Sequence, residues 1–201
     1  MQLDRTKAPE IIVPERFNHL KAETEELSNG VPLHYIDYSE QDILRLQIVF
    51  ESGSIFQPKP LVASAGNQLL SNGTANRNAK QIAEYLENRG VFMDTESSVD
   101  TGTLNLYCLN NQLEAVLPLL TEIIHESNFP EVEVEDYKNI RYQRFQVNSQ
   151  KVGFIARNEF STFIFGEGHP YASNVTEHDF NSLSRQEIFN FFDRYYKNGS
   201  M

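Results

Sequence analysis

The residue types that could do chemistry in this 201-residue chain are few and scattered. Its five histidines are His19, His34, His125, His169 and His178, and no two stand three or four apart. No helix therefore presents two imidazoles on one face, the arrangement that grips a single metal ion. His125-Glu126 opens like a His-Glu-x-x-His helix, but position 129 is Phe129 and the pattern stops there. His169 precedes Pro170 and reads as a loop residue with a hydrogen-bonding role, and His178 lies between Glu177 and Asp179 in what reads as a solvated turn. Two side chains could act as nucleophiles, Ser64 and Cys108. Ser64 lacks a Gly-x-Ser-x-Gly elbow and sits on an apolar helix, so it reads as a packing serine. Cys108 lies in the apolar run Leu104 to Leu109, where a buried structural thiol is expected. As the only cysteine it also excludes an internal disulfide. The acidic string Glu131, Glu133, Glu135 and Asp136 follows Pro130, where carboxylates suit the positive end of a helix dipole better than a cation site.

The elements that must position these residues follow from periodicity and punctuation. Residues 1–26 read as an extended arm, broken by Pro9 and Pro14. Leu27 to Leu33 holds Asn29-Gly30 between apolar residues, a hairpin signal, and a strand from Leu33 to Tyr38 follows. A further strand is expected over Ile43 to Phe50, closed by Gly53-Ser54. Helices are expected over Leu61 to Ser71 and over Ala79 to Asn88, the second with Asn78 as N-cap and Gly90 as stop. Two strands, Val91 to Val99 and Gly102 to Leu109, come next. Helices from Leu113 to about Ser127, Glu133 to Gln150, Phe154 to Phe165 and Arg185 to Tyr196 complete the set, with Tyr137, Ile140, Phe145 and Val147 inside the second and Ser184 capping the last. The fold class is α+β, with helices packed on one face of a mostly antiparallel sheet.

Composition narrows the partners. A net charge of −11 disfavours a phosphate-binding surface, so no nucleic-acid partner is expected. No segment approaches the roughly 18 apolar residues of a membrane span, and the N-terminus lacks the apolar core of a secretory signal, so a soluble cytoplasmic protein is expected.

Several short stretches together carry a resemblance. They are Leu27-Ser28-Asn29-Gly30, Phe50 with Ser52-Gly53-Ser54, Leu69 to Thr74, Arg89-Gly90-Val91 through Thr103, Gly168-His169-Pro170-Tyr171, and Leu183 to Ile188 leading to Tyr195-Tyr196. In order and spacing they resemble the insulinase, pitrilysin and mitochondrial-processing-peptidase family of zinc peptidases. In that family a helix carries His-x-x-Glu-His a fixed distance before a Gly-Thr pair. Counting back from Gly73, the two His positions fall on Ser64 and Gln68 and the Glu position on Asn67. The third ligand, a Glu on a later helix, falls near Gln143 and Arg144. A catalytic zinc needs three protein ligands and an open position for water. Ser, Asn and Gln are poor zinc ligands and none is basic enough to take a proton from that water.

The resemblance implies a peptidase-like domain over 27–201, the first half of a longer duplicated chain. It implies a non-catalytic half or subunit with no metal of its own, zinc being held by an active metallopeptidase partner or by the second half of the same polypeptide. The two together would enclose a peptide substrate. The alternative is a working zinc metalloendopeptidase whose intact site lies outside this sequence. In the family, peptide adds as a strand to a sheet edge, and the matching segment here is Met93-Asp94-Thr95-Glu96-Ser97.

Overall fold

A computed structural model describes residues 19–37, 41–172 and 174–199. Residues 1–18 of the arm expected over 1–26, Tyr38 and the last two residues lie outside these. The chain divides into two compact units, Met1–Gln41 and Asp42–Met201. In the first, strand β1 (Glu23–Glu26) pairs antiparallel with β2 (Pro32–Tyr35), Glu23 opposite Tyr35 and Glu26 opposite Pro32. The loop closes where the Leu27 N–H donates to the Val31 carbonyl at 2.9 Å, with Gly30 at φ +83° supplying the left-handed step. The hairpin expected at Asn29-Gly30 is present, and its first strand is drawn from what read as the extended arm. His34 belongs to it and shares a hydrogen bond of 2.9 Å with Thr24.

The second unit is built on a three-stranded antiparallel sheet of β3 (Ile43–Phe50), β4 (Phe92–Ser97) and β5 (Gly102–Leu109), ordered β3-β5-β4. Alternation sorts its two faces. Leu44, Leu46, Ile48 and Phe50 stand opposite Cys108, Leu106, Leu104 and Gly102 on the face that joins the core. Arg45, Gln47 and Val49 stand opposite Tyr107, Asn105 and Thr103 on the other face. There Asn105 Oδ1 accepts from Arg45 at 3.0 Å and from Gln47 at 2.9 Å, a polar ladder in the middle of the sheet.

Seven α-helices follow among the described residues: α1 (Val62–Gln68), α2 (Ala79–Glu87), α3 (Leu113–Glu126), α4 (Glu131–Asn148), α5 (Val152–Phe165), α6 (Glu177–Ser182) and α7 (Arg185–Phe192). A π turn, Asp193–Lys197, continues α7. Asn78 with Gln81 and Ser184 with Glu187 form complete capping boxes at the starts of α2 and α7, as their spacing predicts. Helix α6 was not foreseen. Thr176 and Asp179 make a third capping box there, so the stretch around His178 read as a solvated turn is helical. Helix α1 is shorter than the expected Leu61 to Ser71 span: Leu61 is its N-cap in a left-handed conformation (φ 75°), and Leu69 is its C-cap.

The core gathers Phe50, Phe129, Phe192, Ile188 and Tyr196, all essentially inaccessible. Phe50 lies 4.8 Å from Tyr196 and Phe129 lies 5.2 Å from Phe192, ring centre to ring centre. Helix α7 packs on α1 at Gly66, where an added Cβ would meet Phe191 at 3.4 Å, an ordinary contact. On α4 the inward stripe is Val134, Tyr137 and Phe145, the last half-buried against Phe180 at 5.4 Å. Ile140 and Val147, expected inside, are 50% and 61% exposed because they fall off that stripe. Helix α5 fully buries none of its residues, although seven of them are large and apolar.

Candidate functional site

Helix α1 runs between β4 and α7 and carries the three positions at which the metal motif would stand. Each side chain is engaged elsewhere or turned out. Ser64 is half-buried; its Oγ donates to the Leu61 carbonyl at 3.1 Å and lies 2.8 Å from the Tyr137 hydroxyl of α4. With Tyr137 donating to Ser64 and Ser64 to Leu61, both hydroxyl protons are used. Asn67 is 1% exposed and its amide donates to the Thr103 carbonyl of β5 at 3.3 Å. Gln68 is exposed.

Asn67 belongs to a small buried polar corner. A Cβ built on Gly102 would lie 2.4 Å from Ser52 Oγ, 2.5 Å from the Tyr196 hydroxyl and 3.0 Å from Asn67 Nδ2, so this strand residue must be glycine for the three to converge. Neither Ser52 Oγ nor the Tyr196 hydroxyl reaches a well-aligned partner among the described residues. Burial pushes the Tyr196 phenol above its ordinary value, and the nearness of Ser52 and Asn67 pulls the other way without cancelling it.

The expected third position does not meet α1. Gln143 and Arg144 are exposed on α4, and the α4 side chain that reaches Ser64 is Tyr137, 73 positions away in sequence and 3% exposed. Arg141 covers its ring, with its guanidinium carbon 5.5 Å from the ring centre. No sequence periodicity marks Tyr137 as functional; only its place on the buried stripe of α4 could have pointed to it. The donor set facing this corner is hydroxyls and amides, all of them neutral. Among the described residues no three His, Cys, Asp or Glu side chains converge on a point. A zinc ion does not fit these residues, because nothing here supplies an imidazole or carboxylate to replace its water shell.

The other candidates resolve as follows. Met93, Asp94, Thr95, Glu96 and Ser97 all lie on β4, which pairs with β5 on one side and with no other strand among the described residues. Met93, Thr95 and Ser97 share the core face of the sheet, and Asp94 and Glu96 share the opposite one. Cys108 is buried, and burial pushes its thiol up, away from reactivity. His125 ends α3 exposed. His169 stacks on Phe165 at 5.4 Å, and its Nδ1 accepts the Tyr171 N–H at 3.2 Å, a loop role as expected. Sequence reasoning did not foresee an open cleft of about 570 Å³ lined by Gln57, Lys59, Glu159, Glu167 and His169. Lys59 there is held by Glu187 at 2.8 Å.

Known proteins share this architecture. The domain titled peptidase M16 inactive domain from Pseudomonas fluorescens superposes with a TM-score of 0.82 at 24% identity, over 88% of this chain and 44% of that one. The periplasmic protease PqqL of Escherichia coli superposes with a TM-score of 0.76 at 16% identity, over 88% of this chain and 21% of that one. In sequence, cytochrome b-c1 complex subunit 1 of Bos taurus mitochondria is 20% identical over 181 residues, 88% of this chain and 37% of that protein. The chain thus spans less than half the length of each. The sequence profile described as Insulinase (Peptidase family M16) matches residues 35–164, well over half of the sequence, and the chain belongs to that family.

Proposed function

We propose that this chain is a non-catalytic member of the insulinase family that grips peptide and forms part of an enclosing chamber with an active metallopeptidase. The active part is a separate subunit or a second half of the same polypeptide, and zinc is held there. The observation that carries the reading is at α1. The three positions of the metal motif are Ser64, Asn67 and Gln68; two are tied into neutral hydrogen bonds and the third faces solvent. Two of the relatives support it: the Pseudomonas fluorescens domain is described as inactive, and cytochrome b-c1 complex subunit 1 is a subunit of a larger complex. The peptide grip assigned to Met93 to Ser97 needs only main-chain hydrogen bonds, so it survives loss of the metal.

A quenched fluorescent peptide assay tests the proposal. The purified chain supplied with zinc should hydrolyse no peptide above the buffer blank. Hydrolysis that a chelator abolishes would contradict it. The relatives' greater length supports a second reading, in which an intact His-x-x-Glu-His further along one polypeptide makes the whole an active peptidase. Sequencing of the complete reading frame separates the two.

A further inference from the structure

We propose that the free edge of β4 selects extended segments carrying basic residues at alternate positions, two residues beyond an apolar one; this rests on the reading of β4 as a peptide grip. Three observations carry it. First, among the described residues β4 is hydrogen-bonded to β5 alone, so its other side offers unpaired main-chain groups to an added strand. Second, Asp94 and Glu96 project two residues apart from the same sheet face, and neither has an ion-pair partner among the described residues. Asp94 Oδ1 is shut off from solvent with no donor, while its neighbours across β5 are the neutral Asn105 and Thr103. The nearest cation on that face is Arg45, one strand further away, already given to Asn105 at 3.0 Å and lying over the Tyr107 ring. Third, Phe92 begins the same row 62% exposed, 5.9 Å from Tyr107, and makes an aromatic shelf.

A strand added to this edge places every second side chain beside Phe92, Asp94 and Glu96 in turn, because register fixes the face. Lysine or arginine beside the two carboxylates is favoured, and acidic residues there are disfavoured. The apolar position falls beside Phe92. The preference is electrostatic, so it weakens as salt shortens the screening length.

Fluorescence anisotropy with three labelled peptides tests this. One carries leucine, lysine and lysine at every second position with threonine between. A second has glutamine for both lysines. A third repeats the first with N-methylated peptide bonds that cannot donate. The first should bind about three- to tenfold more tightly than the second, from two cross-strand charge pairs. The third should not bind. In the Asp94→Asn, Glu96→Gln double variant the first peptide should bind no more tightly than the second. Equal binding of the first two peptides to the native chain overturns the charge selection and leaves the peptide grip standing. Preference persisting in the double variant, or tight binding of the N-methylated peptide, overturns the site. Binding of none of the three overturns the grip and this inference together.

Discussion

Ser64 and Tyr137 exchange a hydrogen bond across 73 positions at the corner where an imidazole and a metal would otherwise stand. Removing the phenol oxygen should therefore cost stability without any metal-dependent effect. Tyr137→Phe is expected to lower unfolding free energy by about 1 kcal/mol, the worth of one partly buried hydrogen bond, as read from urea unfolding. Tyr196 gives the opposite result. Its hydroxyl is buried beside Ser52 and Asn67 without a well-aligned partner, and burial raises its pKa. A raised folded pKa contributes stability that is fully present below the ordinary phenol value of about 10 and is lost as pH climbs from there through the folded value. Tyr196→Phe should then be near neutral at pH 7, and should lose less stability than the native chain in alkaline unfolding. A steeper alkaline loss in the variant contradicts this account of the corner.

At the scale of elements, the sheet and the capped helices were readable because their signals are local. Alternation marked Ile43 to Phe50 and Gly102 to Leu109, and the side chains of Asn78 and Ser184 marked two helix starts. What failed depends on distant partners. Ile140 and Val147 are apolar and helical, yet nothing fixed which stripe of α4 would meet Phe180. The contact of Tyr137 with α1 is likewise set by how two helices cross, which no short window encodes. The positions that the resemblance assigns to the metal motif could be located only by counting from Gly73, and the fate of each side chain there needed the packed structure. Helix α7 tests the local part. Its cap Ser184 accepts the Glu187 N–H, and Ser184→Ala should cost about 1 kcal/mol. Burial alone would raise the Glu187 pKa, but hydrogen bonds from Lys59 and Ser184 and the Lys59 charge hold it below the usual carboxylate value. That stability is present above the ordinary value and is lost as pH falls through the lowered one. Glu187→Gln should accordingly flatten acid unfolding in this low-pH window, followed by circular dichroism.

For the whole molecule, one helix stands outside the core. The long side chains of α5 remain exposed, with Phe163 at 88% and Val152 at 80%. Phe163→Asp should change unfolding free energy by no more than about 0.5 kcal/mol, because so exposed a ring holds nothing together. A large loss would mean that α5 packs more tightly than described. The frame of an insulinase-family domain is retained around a corner with no zinc ligands, and the functional reading depends on that combination. Its most direct test is elemental analysis of the purified chain after equilibration with zinc and gel filtration. The account predicts far less than one zinc per chain, with none lost on mutating Ser64, Asn67 or Gln68 to alanine. One tightly retained zinc per chain that disappears in those variants would contradict it.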